Sequence, residues 1–183
     1  HCKVRDVTWF RTHADEIDRV LYQVGNSPFH QHMLPLLREI PGTVVLHDFY
    51  MSALMAWLEL YAGVEYAWTA ALYNTHGYGA VRDRYLDTDA AKRKYPVNLY
   101  FLQNAQGLIV HSEYSRKLGK QWYEKNFADN CEVIPHLRSP VAACDKAAAR
   151  KQLGIGQNDF IVCSFGFLDS TKINHRLLEC WLG

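Results

Sequence analysis

The sequence predicts an α/β fold: a parallel sheet with helices on both faces, followed by the opening of a second unit of the same kind. Three observations predict it. Short apolar runs rich in Val, Ile and Leu alternate along the chain with longer stretches of helical period. Alternation of this kind needs crossover connections, and crossovers join parallel strands. The runs also read as continuously apolar, the pattern of strands covered on both sides.

The elements follow in order. Val20–Val24 is a short run closed by Gly25-Asn26, and its length and β-branching favour a strand. Ser27-Pro28 then opens a helix, serine as cap and proline at the first helical position. It runs to Ile40, where Pro41-Gly42 stops it. Thr43–Leu46 is the next strand, ending on His47-Asp48, and a helix over about Tyr50–Tyr61 follows. From Val64 to Lys94 the polar, Tyr- and Gly-containing stretch reads as helical pieces around a mobile loop. Tyr95–Gln106 is a helix leading into the strand Leu108–Val110, which ends on His111-Ser112. Glu113–Phe127 is a helix, and Cys131–Ile134 a strand ending on Pro135-His136.

Beyond His136 the composition changes. Residues 137–152 read as a linker with a short helix, Lys146–Leu153, closed by Gly154. Phe160–Phe165 reads as a new buried strand, turning at Gly166 before a helix from about Asn174. The expected organisation is therefore a first domain over 1–136, a linker over 137–152, and the start of a second domain over 153–183. The chain begins at His1 without Met and ends soon after an apolar helical run, so it reads as a fragment.

Charge and composition narrow the partners. A net charge of +1 offers no basic excess to pair with a polyphosphate backbone, so nucleic acid is not expected. No apolar run approaches the roughly 20 residues that span a bilayer. The 5 cysteines form no C-x-x-C pair, which suggests inert thiols in a reducing cytoplasm rather than a disulfide framework or zinc knuckle.

Chemistry is expected where strands end. Gly25-Asn26, His47-Asp48, His111-Ser112 and Gly166 each close an apolar run. In open α/β sheets ligands bind at the carboxyl ends of strands, beside free helix N–H groups. Asp48 and Ser112 could equally cap the helices that follow them. His47 is the strongest candidate, because no packing need calls for histidine where a buried strand meets a helix. His30 and His32 lie two apart and point to different faces of a helix, so with His47 they make a poor zinc site, and no metal is expected. Gly166 followed by Lys172 resembles a phosphate cradle, although neither a G-x-x-x-x-G-K-[ST] loop, a G-x-G-x-x-G fingerprint nor a G-x-S-x-G elbow occurs.

Four stretches in order carry a family resemblance: Tyr22–Asn26 with His30; Val45–Asp48; Leu108–Ser115; and Val162–Lys172 with its Phe165-Gly166-Phe167 turn. Val133–His136 fits beside them. The chain resembles retaining GT-B glycosyltransferases of the family-4 type, common in bacterial polysaccharide and lipopolysaccharide biosynthesis. The resemblance implies two Rossmann-like domains facing across a cleft, with the GT-B N-terminal domain incomplete here. It implies transfer from a nucleotide-sugar donor to a saccharide or lipid-linked acceptor, with retention and without a metal or other cofactor. His47 would be the catalytic contact to the donor sugar. Gly25, Asn26, His111, Ser112, Gly166 and Lys172 would line the donor side, and His30 and Asp48 the acceptor side. Two departures stand out. Phe167 occupies the place where many members carry arginine, and Ile173 the place where many carry glycine.

A nucleotide-sugar epimerase on the same architecture, or a non-catalytic interaction domain, remains open at this point. A cytoplasmic location is implied, with peripheral contact at the inner membrane face a further possibility. Arg82-Asp83-Arg84 and Lys92-Arg93-Lys94, interleaved with Tyr85 and Tyr95, could meet anionic headgroups, while a solvated charged face is the plainer reading.

Overall fold

The computed structural model describes residues 3–123, 130–140, 142–166, 168 and 173–183. The chain divides into two compact units, His1–Leu137 and Arg138–Gly183.

The first unit is α/β. Strands β1 (Leu21–Val24), β2 (Thr43–Leu46), β3 (Gly107–Val110) and β4 (Cys131–Val133) form a wholly parallel sheet in the order β1-β2-β3-β4. The architecture is consistent with a Rossmann-like fold. A helix α1 (Val7–Thr12), not expected from the sequence, precedes the sheet and is capped by the Asp6 carboxylate. The β1–β2 connection carries α2 (Met33–Glu39). The β2–β3 connection carries α3 (Ser52–Leu60), α4 (Ala67–His76), α5 (Tyr78–Leu86), α6 (Thr88–Lys94) and α7 (Leu99–Asn104). The β3–β4 connection carries α8 (Glu113–Tyr123).

The register sorts the strand side chains onto two unlike faces. Tyr22, Val44, Leu108 and Cys131 lie abreast and are buried; so are Val24, Leu46 and Val110, with Val133 half-buried beside them. The opposite face carries Leu21, 54% exposed, with exposed Gln23 and Glu132 and half-buried Thr43, Gly107 and Ile109; Val45 alone is buried there. Helices on both faces, as expected from the sequence, are therefore not what the strands show. The strand order explains why. Each connection steps to the next strand in the same direction, and right-handed crossovers that all step one way stack their helices on one face. Cover on both faces needs a reversal of strand order, and β1-β2-β3-β4 has none.

Two further segments depart from expectation. The helix expected from Ser27 is a 3-10 turn, Pro28–His30, then α2, and the Ser27 side chain makes no capping bond. The stretch expected to hold a mobile loop is the helices α4, α5 and α6. Gly77, at φ 77°, ends α4 in the conformation that glycine tolerates best, and the Asp87 carboxylate accepts the Ala90 N–H to open α6.

A buried ion pair ties this helical layer together. Arg84 of α5 pairs with Glu59 of α3, their side chains only 10% and 11% exposed. Glu59 also accepts the Thr69 N–H (2.8 Å) and hydroxyl (3.0 Å), and the Arg84 guanidinium lies 5.0 Å from the Trp68 ring centroid. Arg84 is thereby removed from the basic surface patch that could have met a membrane. Asp83 is likewise engaged by Lys94 (2.6 Å) and the Tyr95 hydroxyl (2.8 Å), and the hydrogen bond from Lys94 holds its carboxyl down at about 2. Among the described residues no helix is long and apolar enough to cross a membrane.

The loop between α6 and α7 anchors the start of α3. Met51 N–H donates to the Pro96 carbonyl (2.7 Å), the Ser52 hydroxyl to the Tyr95 carbonyl (2.5 Å), and Asn98 Nδ2 to the Phe49 carbonyl (2.7 Å). Val97 sits in this loop at φ 52° and is buried, a strained conformation for a β-branched residue that the surrounding bonds hold in place.

The second unit contains helices Lys146–Gln152 and Asn174–Leu182. Asp145 caps the first through the Ala147 and Ala148 N–H groups. Arg150 in turn donates to the Gly156 (2.9 Å) and Asp159 carbonyls, so the helix expected in the linker is bonded to the segment after it. Phe160–Phe165, expected to be a buried strand, is unpaired, with Phe160 80% and Phe165 94% exposed. A strand exists through its ladder, and no described residue pairs with this run. It is bound instead to the last helix, by Phe160 stacking on Trp181 (5.9 Å) and by Asn174 Nδ2 donating to the Ser164 hydroxyl (2.8 Å).

Candidate functional site: the carboxyl edge of the sheet

Three strands deliver histidine to one edge. His47 follows the last residue of β2, His111 follows the last residue of β3, and His136 stands just beyond β4. The ladder continues past the strands, since the His47 N–H donates to the Val24 carbonyl (2.9 Å) and the Ile134 N–H to the Val110 carbonyl (2.9 Å). Alternation along the strands then puts His47 and His111 on the side of Gln23, Val45 and Ile109, the open face of the sheet. The rings meet there. Their centroids are 4.9 Å apart for His47 and His111, 5.9 Å for His47 and His136, and 3.8 Å for His111 and His136.

The neighbours of the rings decide where their protons sit. His111 Nδ1 lies 2.8 Å from the Ile134 carbonyl, which can only accept, so His111 is protonated at Nδ1. His47 Nε2 lies 2.6 Å from Gln23 Oε1, and with the Gln23 amide in this orientation His47 is protonated at Nε2. The two remaining nitrogens, His47 Nδ1 and His111 Nε2, face each other at 3.2 Å. In neutral rings both present lone pairs. Burial, then the neighbouring His111 and His136, push the His47 pKa below its ordinary value, which favours the neutral form.

Beside the histidines lies a second polar group. The Asp48 carboxylate accepts the Asn26 N–H (2.8 Å), linking the ends of β1 and β2, and this replaces the helix-capping role that was its alternative. The Asn26 side chain accepts the Leu54 N–H (2.9 Å), so it caps α3 from a neighbouring strand end. Gly25 makes room for both neighbours. A Cβ there would stand 2.9 Å from His30 Nε2 and 3.4 Å from an Asp48 oxygen. His30 Nδ1 is buried without a hydrogen-bond partner. The Ser112 hydroxyl accepts the Ser115 N–H (3.1 Å) at the first turn of α8, the capping alternative for that residue.

The edge therefore gathers Gly25, Asn26, His30, His47, Asp48, His111 and Ser112, seven residues singled out from sequence. Gly166 belongs to the second unit, at φ 125° with open space where a Cβ would be, and Lys172 lies outside the described residues. Sequence reasoning overlooked His136. Its signal was the shared pattern of histidine just past each of three successive strands. His32 does not join the cluster; among the described residues the group able to hold one ion is His47, His111 and His136. A cavity of mixed polarity, lined by Leu99, Leu102, Gln103, Leu108, Tyr123 and Asn130, lies at the amino end of β3, away from this edge.

No protein-family model matches the chain, and neither a curated protein nor a solved structure matches it significantly.

Proposed function

We propose that this chain supplies the acceptor-side part of a sugar-transferring enzyme, a retaining GT-B glycosyltransferase of the family-4 type. Its substrates would be a nucleotide-sugar donor and a saccharide or lipid-linked acceptor. The observation that carries the reading is the convergence of polar strand ends at one carboxyl edge, with His47 in contact with both Gln23 and His111. Parallel α/β sheets bind their ligands at their carboxyl ends, and here the three histidines rather than a reversal of strand order mark the place. The gathered groups suit a sugar: imidazoles, a carboxylate and a hydroxyl can each hydrogen-bond to a sugar hydroxyl. His47, exposed and bonded only to side chains, is the group best placed to reach one. Asn26 and Ser112 act here as supports, because their side-chain oxygens hold the starts of α3 and α8.

The test needs a protein that carries this chain with a complete donor-side unit. Radiolabelled UDP- and GDP-sugars are supplied with lipid-linked and free saccharide acceptors. Transfer is expected, and His47→Ala should lower it by about 100-fold, the scale of losing a positioned polar group in a transition state. A C2-epimerised sugar formed without acceptor would replace the reading with an epimerase. Unaltered turnover in His47→Ala would end the catalytic role of that residue.

A further inference from the structure

We propose that His47, His111 and His136 form a binding site for one divalent transition-metal cation, zinc above all, at the carboxyl edge of the sheet. The inference rests on the three imidazoles alone and not on the sugar-transfer reading, which implies no metal.

Distances come first. One nitrogen from each ring can be chosen so that all three lie within 4.8 Å of one another. Zinc–nitrogen bonds of about 2.05 Å at tetrahedral angles set ligand nitrogens about 3.3 Å apart. The His47 Nδ1 to His111 Nε2 separation of 3.2 Å already matches that edge. The third ligand, His136, follows Pro135 beyond β4 and is exposed, so its ring is free of core packing and can turn to close the remaining gap.

Proton placement comes second. In the tautomers that these contacts favour, two lone pairs face each other at 3.2 Å, and a cation between them removes their repulsion. The acceptors Gln23 Oε1 and Ile134 O hold the ring protons on the far nitrogens and so aim both free lone pairs inward. Metal-bound histidines are oriented in this way, by a carbonyl or carboxylate on the second nitrogen. The ligand set is all imidazole, which selects zinc, copper or nickel over magnesium and calcium. Three protein ligands leave a fourth position for water or an anionic oxygen, and the exposure of His47 and His136 leaves it open.

The test uses the chain itself, stripped with EDTA and titrated with zinc against a chromophoric chelator, with Co2+ absorption as a second readout. Saturable binding of one equivalent is expected, with a Co2+ spectrum of four- or five-coordination. His47→Ala, His111→Ala and His136→Ala should each weaken binding by more than about tenfold, and Gln23→Ala by about tenfold through loss of orientation. His32→Ala should change nothing. Circular dichroism checks the fold of each variant. Should His111→Ala unfold, exposed His136 carries the test. Absence of saturable zinc binding, an octahedral Co2+ spectrum, or undiminished affinity in His47→Ala and His136→Ala would overturn the site. Zinc binding without sugar transfer leaves the site standing and removes the enzyme reading; transfer without zinc binding does the reverse.

Discussion

The helical layer over the sheet and the carboxyl edge of the sheet handle polar side chains in opposite ways. In the layer, Glu59 and Arg84 are buried, paired and braced by Thr69. At the edge, His47 Nδ1 and His111 Nε2 face each other near solvent, with their other ring nitrogens against Gln23 and the Ile134 carbonyl. Removing one partner of the first arrangement leaves a buried charge unpaired, whereas removing one of the facing imidazoles leaves none. The contrast teaches that the charged pair of the layer holds the structure, whereas the three imidazoles of the edge are held by it.

The largest effect expected from breaking this contrast lies in the layer. Glu59→Ala leaves the buried Arg84 guanidinium without its partner and should cost about 3–5 kcal/mol, read as a lowered urea midpoint. Replacing both partners by apolar residues should recover most of that loss, because an unpaired buried charge rather than the missing attraction is the main penalty. Recovery in the double variant separates a structural pair from a functional one.

A smaller effect concerns a histidine within the layer. His76 packs against Tyr95 and Trp122, its Nε2 accepts the Val97 N–H, and burial depresses its pKa to about 4. The unfolded chain takes up that proton near pH 6.5, before the folded one does. The folded state therefore keeps the His76 contribution above about pH 6.5 and loses it progressively as pH falls to about 4. Urea titrations across this window should show declining stability, and His76→Phe should flatten the decline. An equal slope in the variant would assign the loss to other groups.

Much of this division was legible in the residues, and the parts that were not have physical reasons. The four strands stood out because short β-branched runs bounded by turn residues have few alternatives. The one-sided sheet was also written there. Gln23 in β1 and Glu132 in β4 occupy the register of the open face, and reading the runs as uniformly apolar passed over them. The α4–α6 layer was obscured because its polar residues pair with each other, so composition alone resembled a loop. Phe160–Phe165 has the sequence of a strand, but strand formation depends on a neighbour that local sequence does not contain. At the edge, His47 and His111 were recognisable from their place after apolar runs. His136 was passed over because Pro135 separates it from its strand, and only the parallel register brings it beside the others.

The smallest effect is expected at the edge itself, and its smallness is informative. His47→Ala removes a bond to an exposed glutamine and one of two facing lone pairs. Gln23 can return to water, and His111 keeps its bond to the Ile134 carbonyl. Substitutions at such sites usually alter stability by no more than about 0.5 kcal/mol. The urea midpoint should therefore stay near that of the parent, even as zinc affinity and sugar transfer fall. A site that tolerates this loss is kept for what it binds, because residues that select for ligand over packing sit below the stability optimum of the fold. A destabilisation on the scale of Glu59→Ala would instead make the three rings a structural cluster, and both functional readings of His47 would then need a variant that leaves the fold intact.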